Sequence, residues 1–410
     1  MIGFISELIY RLIYPLLIFF HKNGNYSLDA INAKKGFVNF INKKNAKVIM
    51  FHGVSVGEVN AIEKLIKTTR TTFPDINIVV TTGTNTGQDN ALKKLGDAAD
   101  LITYFPFDTP SCVKRFLDNV KPDIIFIAET EIWPNIAIEC NRRNIKLCII
   151  NGRISDKTYK VYKFLKPFFK PLLNMYSGIY TQSSEDLKKF LSIGTNPSKT
   201  VRMNNLKFDV NPPFVDFEFN KSGKVLLAAS THAGEDEIVL NVYTNLRKKY
   251  NDLKLIIAPR HLTRKEEVEG IVGSSGFIYG LRSSGINSMS DIDILILDTI
   301  GELSKMFSFA DVSFIGGSFS NTGGHNPLES IIFAKPVISG PSIFNFKDIY
   351  SIIQNAGAGF VVKSQTEFLA AADELFGNDT KYKQVSEAGN LVFKEQQGAL
   401  EFVINIIKNL

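Results

Sequence analysis

The seven residues His-Gly-Val-Ser-Val-Gly-Glu at positions 52–58 contain the side chain best suited to acid–base chemistry. They directly follow the apolar run 48–51, which is typical of a buried strand. The two glycines permit a tight turn, and a helix that begins here would favour the charged form of Glu58 through its dipole. An ionised glutamate at a strand end is a candidate general base. A glutamate that only caps its own helix is the alternative interpretation.

Three other polar segments of the first half are candidates for the same site. Residues 81–87 supply hydroxyl and backbone N–H groups after a second apolar run. Residues 128–135 contain two carboxylates, which are costly to bury unless they are used or paired. A capping box before a proline helix start is the alternative for that segment. Lys207, next to a proline-containing linker, could reach an anionic ligand, although most lysines at such junctions are simply solvated.

Three loops of the second half have the composition of a nucleotide site. Residues 230–232 and 259–261 each follow an apolar run and combine small donors with a cation, as phosphate recognition requires. The third loop, 316–329, contains two Gly-Gly pairs that let the backbone approach a ligand closely. Its Pro327 suits a helix start, and Glu329 could accept a hydrogen bond from a ribose hydroxyl. The sequence contains neither a P-loop nor a GxGxxG dinucleotide motif.

Short apolar runs at intervals of roughly 20–30 residues must position these loops, and that spacing is typical of βαβ units. The runs are continuous rather than alternating, which indicates strands covered on both faces. We expect two doubly wound α/β domains joined by a linker at 208–222, with ligands beyond the carboxyl ends of the strands, in the cleft between the domains. The runs are 48–51, 76–82, 101–104, 123–127, 146–150, 178–181, 225–229, 253–258, 293–297, 312–315 and 336–338.

Composition excludes several classes of protein. The chain has 410 residues, of which 44% are hydrophobic and 21% charged, and 32 Phe with 13 Tyr give enough apolar surface for folding. Its three cysteines lack CxxC spacing, which excludes a disulfide scaffold and a zinc site of the usual pattern and favours a reducing compartment.

The net charge of +6 is unevenly distributed, because residues 1–205 carry +11 and residues 206–410 carry −5. A basic first half predicts an anionic partner, either a membrane surface or nucleic acid, with a merely solvated basic face as the alternative. Residues 1–20 are long enough to span a bilayer but contain Glu7, Arg11 and Pro15. We expect membrane association rather than a core helix, with spanning and interfacial placement both open. The lysine- and aromatic-rich stretch 157–170 suits an anionic lipid surface or an ordinary surface helix.

Taken in order, these motifs resemble those of the 3-deoxy-D-manno-octulosonic acid (Kdo) transferases of lipopolysaccharide assembly. The segment Gly-Gly-His-Asn-Pro-Leu-Glu at 323–329 is specific by itself, and the next three residues, 330–332, are bulkier than is usual in that family. That departure concerns helix packing rather than the ligand loop. The matching segments are 52–58, 81–87, 105–108, 129–135, 206–209, 230–232, 259–261, 300–302, 323–329 and 344–348.

The resemblance implies a GT-B glycosyltransferase: two Rossmann-like doubly wound α/β domains facing across a cleft, with an N-terminal apolar helix. The corresponding bounds are 1–22 for a membrane-associating helix, 23–207 for the acceptor domain, 208–222 for the linker and 223–410 for the donor domain, whose last helix could pack back on the first. The implied donor is CMP-Kdo and the acceptor a lipid A precursor (lipid IVA) at the cytoplasmic face of the inner membrane. Inverting transfer without a metal or other cofactor, and without nucleic acid as a partner, is also implied.

The resemblance assigns roles residue by residue. Glu58 matches the general base, and Glu129 and Lys207 match residues that stabilise the transition state. The competing interpretations are another nucleotide-sugar transferase of the same fold and a non-catalytic membrane-surface binding protein. The positions that match the CMP-binding loops are Pro259, Arg260, Ile300, Gly301, Glu302, Asn326, Pro327, Leu328 and Glu329; further candidate donor contacts are Ser230, Thr231, Gly317 and Ser318, and candidate acceptor contacts are Ser55, Thr82 and Thr84.

Overall fold

The computed structural model of the chain describes residues 26–410, so the predicted membrane-associating segment 1–22 lies outside the described residues. Within them, the chain forms two compact units, which are described separately. One comprises residues 26–209 together with Gln396–Leu410, and the other comprises Val210–Glu395. Among residues 26–410, no helix combines the length and the apolar character needed to cross a membrane.

The first unit is built on a parallel seven-stranded sheet in the order β3-β2-β1-β4-β5-β6-β7. Three adjacent interior strands, β1, β2 and β4, are buried throughout, as continuous apolar runs require when helices cover both faces. The strands are all parallel, but the order in which the chain adds them changes from one side of β1 to the other, so the strand order reverses between β1 and β4. The strands are β1 (Val48–His52), β2 (Asn77–Thr82), β3 (Leu101–Tyr104), β4 (Ile124–Ala128), β5 (Lys146–Gly152), β6 (Gly178–Thr181) and β7 (Thr200–Arg202).

Helices of the first unit connect successive strands, and several begin at a Ser or Thr N-cap, which satisfies backbone N–H groups of the first turn. A short 3-10 turn, Leu206–Phe208, precedes the unit boundary. The helices are α1 (Leu28–Lys34), α2 (Val56–Thr72), α3 (Asn85–Leu95), α4 (Pro110–Val120), α5 (Pro134–Arg143), α6 (Asp156–Phe164), α7 (Lys166–Leu173) and α8 (Ser184–Ile193).

The second unit contains another parallel seven-stranded sheet, in the order β10-β11-β9-β8-β12-β13-β14. Its reversal of direction lies between β8 and β12. The strands are β8 (Val225–Thr231), β9 (Lys254–Pro259), β10 (Tyr279–Leu281), β11 (Ile294–Ile296), β12 (Val312–Ile315), β13 (Val337–Ser339) and β14 (Gly359–Val361). The helices are α9 (Glu235–Arg247), α10 (Lys265–Gly273), α11 (Leu303–Met306), α12 (Leu328–Ile331), α13 (Lys347–Asn355), α14 (Gln365–Gly377) and α15 (Asp379–Gln396).

The predicted class of two Rossmann-like, doubly wound α/β sheets is confirmed. Each predicted apolar run forms a strand whose ends differ from the prediction by no more than two residues. The sequence did not reveal β7, β10 and β14, which form three of the four sheet edges.

The C-terminal segment belongs to the first unit. Helix α16 (Ala399–Lys408) buries Ala399, Val403 and Ile407 in the core beside β1 and α2. The carboxylate of Asp209 accepts hydrogen bonds from the backbone N–H groups of Gly398 (2.7 Å) and Leu400 (2.6 Å), which fixes the start of this helix. The predicted donor-domain range 223–410 therefore extends 15 residues beyond the second unit, which ends at Glu395.

The segment predicted as a linker, 208–222, is divided at Asp209, and its larger part is joined to the second unit. Phe219 is buried there, with its ring 5.1 Å from that of Phe309, and Asn220 forms a parallel bridge with Ser288. The structure thus incorporates most of the proline-containing segment in a folded unit.

Candidate functional site

The strand order of each sheet points to a binding site at the carboxyl ends of particular strands. In doubly wound sheets, ligands bind beyond the carboxyl ends of the strands at the point where strand order reverses. That point lies between β1 and β4 in the first unit and between β8 and β12 in the second. Glu58, Glu129 and the segment 316–329 follow three of these four strands, whereas Arg260 follows β9 and residues 300–302 follow β11.

Glu58 lies in the first turn of α2, three residues after the N-cap Ser55. Its carboxylate accepts a hydrogen bond from the backbone N–H of Val54 at 2.6 Å and one from the Ser55 hydroxyl at 3.2 Å. The Ser55 oxygen in turn accepts a hydrogen bond from the Glu58 N–H at 3.5 Å. Glu58 therefore does cap its own helix, as the alternative interpretation required.

The environment of Glu58 nevertheless differs from that of an ordinary capping residue. Burial, together with the nearby Glu129 and Glu131, raises the pKa of its carboxyl to about 7, against the opposing effect of the Val54 N–H. A carboxyl that titrates near neutral pH can accept a proton from a weakly acidic hydroxyl and release it again. Capping and base chemistry are thus compatible at this position.

Glu129 follows β4 directly and adopts a left-handed backbone conformation with φ of 60°. Its N–H donates to the carbonyl of Ile150 at 2.9 Å, and its carboxylate forms an ion pair with Arg153 Nε at 2.8 Å. Glu131 is half-buried, and burial together with Glu129 raises its pKa. The acidic pair of the sequence is therefore one carboxylate with a cation partner and one partly desolvated carboxylate.

The capping box considered for residues 128–135 does not form, because the N-cap of α5, Trp133, makes no side-chain cap hydrogen bond. Asp108 caps this helix from another loop instead. Its carboxylate accepts from the backbone N–H groups of Asn135 (3.0 Å) and Ile136 (2.9 Å). This contact gives the Phe-Pro-Phe-Asp segment 105–108 a structural role.

The remaining candidates of the first unit occupy different environments. Lys207 lies half-buried in the 3-10 turn Leu206–Phe208, which packs against α2. Ser55 and Thr84 are N-caps of α2 and α3. Thr82 is fully buried, with its hydroxyl donating to Gln88 at 2.6 Å. The structure therefore does not present Thr82 as a surface contact, contrary to the prediction, because its hydroxyl is used inside the unit.

Two adjoining cavities, of about 240 and 460 Å³, open at the strand ends of the second unit. Both are lined by Ser230, Arg260 and Leu303, so the two cavities adjoin and belong to one candidate site. The smaller cavity is also lined by Ala229, Phe307, Ile315, His325, Asn326, Glu329 and Phe346, and the larger by Ala258, Pro259, His261, Leu262, Thr263, Leu297, Thr299, Ile300 and Gly301.

Arg260 is the exposed cation of this site. The other arginines of the second unit form ion pairs, Arg247 with Asp293, Arg264 with Asp236 and Arg282 with Glu302, whereas within the described residues Arg260 forms none. The guanidinium of Arg260 lines both cavities and acts on Glu329. Burial raises the pKa of Glu329, and the positive charge of Arg260 offsets part of that rise. An unpaired guanidinium at a strand end is suited to a phosphate group.

A histidine pair lies beside Arg260. The Nε2 atoms of His232 and His325 are 2.9 Å apart, and their rings are stacked with centroids 5.2 Å apart. Burial, with the positive charge of Arg260 nearby, lowers the pKa of both rings, that of His325 to about 4. At neutral pH the pair is therefore uncharged, and one ring donates the hydrogen bond that the other accepts.

Glu235 is a site residue that the sequence analysis missed. It is 1% exposed, and its carboxylate accepts from four backbone N–H groups, those of His232, Gly317, Ser318 and Phe319, at 2.7–2.8 Å. It thereby joins the loop after β8 to the loop after β12 across the reversal point. The Gly-Glu pair at 234–235, shortly after the end of β8, is the same signal that drew attention to residues 57–58.

Several predicted donor contacts do not line these two cavities. The Gly317 and Ser318 amides are bound by Glu235, and the Ser318 hydroxyl donates to the carbonyl of Ile315 at 2.6 Å. Thr231 is fully buried, and Glu302 is held by Arg282 at 2.7 Å. These four residues support the loops in this structure rather than lining the cavities. Pro327 and Leu328 form the buried start of α12.

Comparison with known proteins agrees with the resemblance. The family model for 3-deoxy-D-manno-octulosonic-acid transferase (kdotransferase) matches residues 30–210. A 3-deoxy-D-manno-octulosonic acid transferase of Haemophilus influenzae is 31% identical over 369 residues, which cover 88% of this chain and 86% of that protein. The chain belongs to the Kdo transferase family.

A second relative of this Kdo transferase-family chain is longer. A bifunctional glycosyltransferase/methyltransferase of Fusobacterium nucleatum is 34% identical over 395 residues, covering 91% of this chain and only 59% of that protein. Among solved structures, a UDP-GlcNAc 2-epimerase from Neisseria meningitidis is similar in fold, with a TM-score of 0.55, 12% identity and coverage of 89% of this chain and 100% of that one. At that identity the likeness concerns the GT-B-like fold alone.

The family resemblance predicts a reaction that needs no metal cofactor. Within residues 26–410, no group of three or more His, Cys, Asp and Glu side chains is arranged to hold a metal ion. His232, His261 and His325 come close together, with the His232 and His261 rings 5.8 Å apart edge to face, yet they do not form such a group. A metal-independent reaction stays a prediction.

Proposed function

We propose that the protein transfers Kdo from CMP-Kdo to a lipid A precursor such as lipid IVA. The observation that carries the proposal is the Glu58 carboxyl at the reversal point of the first sheet, with its pKa raised to about 7. Family membership supplies the sugar, and Arg260, which forms no ion pair within residues 26–410, with the two cavities in the second unit, supports a nucleoside monophosphate sugar as the donor.

The reaction proposed is a single inverting displacement. Glu58 takes the proton from the 6-hydroxyl of a lipid A glucosamine, and the oxygen forms a bond to C2 of Kdo. The bond from C2 to the phosphate oxygen breaks at the same time, and CMP leaves with the electron pair. The transition state should resemble an oxocarbenium ion, as in other glycosyl transfers, and a well-placed base contributes about 10²–10⁴-fold to the rate.

Other residues would stabilise the charges that develop. Lys207 and Glu129 are the proposed transition-state residues, in keeping with their matches to the family motifs. Arg260 would neutralise the phosphate of CMP, with Ile300, Gly301, Asn326 and Glu329 around the nucleotide, because these residues line the same cavities.

The membrane partner is also proposed, with the basic first half as its contact. Helix α6 has no buried residue, and Val161, Phe164 and Leu165 are exposed among lysines. Exposed apolar side chains flanked by cations suit the anionic, amphiphilic surface that would carry the acceptor. We place the protein at the cytoplasmic side of the inner membrane, with residues 1–22 as a further membrane-associating segment. The lysines of this surface are Lys157, Lys160, Lys163, Lys166 and Lys170.

The test is a product assay with the full chain in mixed micelles. Incubation with CMP-Kdo and a lipid A precursor should release CMP and increase the lipid mass by one or more Kdo residues. Parallel reactions contain a UDP-sugar in place of CMP-Kdo. Product from the UDP-sugar alone would favour another nucleotide-sugar transferase, and binding to lipid without product from either donor would favour a non-catalytic protein.

A further inference from the structure

Arg153 lies against the acidic residues that follow β4 in the first sheet. No sequence motif gave this arginine a role. It follows β5, the neighbour of β4, and its Nε lies 2.8 Å from the Glu129 carboxylate. Its backbone N–H donates to the Thr130 hydroxyl at 3.2 Å. The loop after β5 is therefore joined to the loop after β4 through both the main chain and the side chain of Arg153.

The groups that face Glu58 explain why this ion pair matters. On its own helix and loop, the Val54 N–H and the Ser55 hydroxyl favour the ionised carboxylate. From the neighbouring loop, Glu129 and Glu131 oppose ionisation. Among the described residues, the cations of this region include Arg153, bound to Glu129, Lys207, on the turn that packs against α2, and Lys34, whose Nζ donates to the carbonyl of Gly83 at 2.8 Å.

We propose that Arg153 is a positioning residue for Glu58: through its ion pair with Glu129 it neutralises one carboxylate of the cluster, so that Glu58 can ionise at neutral pH. The inference rests on the proposed function of Glu58 as the base. Without Arg153, the negative charge of Glu129 would act on Glu58 without its cation partner, in addition to that of Glu131. Glu58 would then take up a proton at higher pH, because a nearby like charge disfavours the charged form of a carboxyl.

The same pair also accounts for the backbone of Glu129. A glutamate with φ of 60° is in the left-handed region, which non-glycine residues adopt only with support from their surroundings. The contacts to Ile150 and Arg153 provide that support. Loss of Arg153 could therefore disturb Glu129 sterically as well as electrostatically, and the experiment must separate the two effects.

Three variants do so. Arg153→Gln removes the charge, and Arg153→Lys retains a cation that can still reach a carboxylate. Arg142→Gln is the matched control, because Arg142 pairs with Glu139 at 2.9 Å on α5, and Glu139 keeps a second partner in Arg143. Each variant is examined by a ¹³C-glutamate NMR titration without substrate, with the Glu58 carboxyl signal assigned from Glu58→Gln, and by the pH profile of kcat/KM for Kdo transfer.

In Arg153→Gln, the Glu58 titration midpoint should rise by about 0.5–1 pH unit. The acidic limb of kcat/KM should move by the same amount, which lowers activity about three- to tenfold at pH 6 with a smaller loss at pH 8.5. Arg153→Lys and Arg142→Gln should keep the wild-type midpoint. An unchanged midpoint in Arg153→Gln, or a uniform loss of activity at every pH, would overturn the inference and leave Arg153 with a steric role. A shifted NMR midpoint in a chain that transfers no Kdo would support the inference and contradict the proposed function.

Discussion

The two sheets offer a direct comparison, because in each a glutamate lies in the first turn of the helix that follows the strand at the reversal point. Glu58 begins α2 after β1, and Glu235 begins α9 after β8. Glu58 receives one backbone N–H and one hydroxyl, whereas Glu235 receives four backbone N–H groups. The carboxylate of Glu235 is thus used to hold two loops together, whereas that of Glu58 has fewer donors and a pKa raised by burial and by nearby carboxylates.

The surroundings of the two glutamates differ in sign as well. Glu129 and Glu131 oppose ionisation of Glu58, whereas the loops near Glu235 contain the positive charge of Arg260 beside the uncharged pair of His232 and His325. The strand ends around Glu58 are therefore suited to taking up a proton, and those around Arg260 to binding an anion. A shared topology provides two sets of strand ends, and the side chains placed on them decide the chemistry.

The largest effect that would test this contrast is expected at Glu58. Glu58→Gln should lower kcat for Kdo transfer by about 10²–10⁴-fold, because the amide cannot accept the proton from the acceptor hydroxyl. The melting temperature and the affinity for CMP should stay near those of the wild type. Glu63→Gln on the same helix is the control, since Glu63 pairs with Lys67 and Lys94. Ordinary turnover by Glu58→Gln would exclude this residue as the base.

Glu235 should show the opposite pattern, with loss of stability before loss of chemistry. In Glu235→Gln, an NH₂ group would replace one of the two oxygens that accept backbone N–H groups, leaving buried donors unpaired. We expect the free energy of unfolding to fall by about 2–3 kcal/mol, measured by chemical denaturation. Glu237→Gln, at an exposed position of the same helix turn, should change it little. Equal stability of the two variants would mean that Glu235 does not hold the loops together.

Arg260→Ala should weaken binding of CMP to the second unit. The loss of a charged hydrogen-bond donor to phosphate predicts an increase in Kd of roughly 10- to 100-fold, measured by titration calorimetry. Folding should be unaffected, because Arg260 is exposed and forms no ion pair within residues 26–410. Lys248→Ala removes an exposed cation from the end of α9 and serves as the charge control. Matching affinities for the two variants would remove Arg260 from the proposed donor site.

Whether a strand could be predicted from the sequence depended on how completely the strand is buried. Interior strands such as β1 and β4 are covered on both faces, so they appear as unbroken apolar runs. The missed strands β7, β10 and β14 have three residues each and lie at sheet edges, with mixed or partial burial. Such short, partly exposed segments have no hydrophobic pattern that identifies them as strands. Only their hydrogen bonds to a neighbouring strand do so.

The candidate site was predictable by residue type but not by pairing. The segments around Glu58 and Arg260 were found because a strand, a turn and a reactive side chain follow one another along the chain. The contacts of Arg153 with Glu129 and of Glu235 with Gly317 join loops distant in sequence. Predicting them requires the order of the strands in the sheet, which the apolar runs do not give.

The smallest effect is expected at the proposed membrane contact. One exposed phenylalanine in each half of the chain allows the two halves to be compared. Phe164 in the basic first half and Phe214 in the acidic second half are almost equally exposed, at 85% and 83%. Phe164→Ser should weaken cosedimentation with anionic vesicles about three- to tenfold, because one aromatic side chain no longer enters the interface beside its lysines. Phe214→Ser, next to Asp216 and Glu218, should have no effect. Equal losses in both variants would mean that exposure alone, rather than its combination with positive charge, determines which surface meets the lipid.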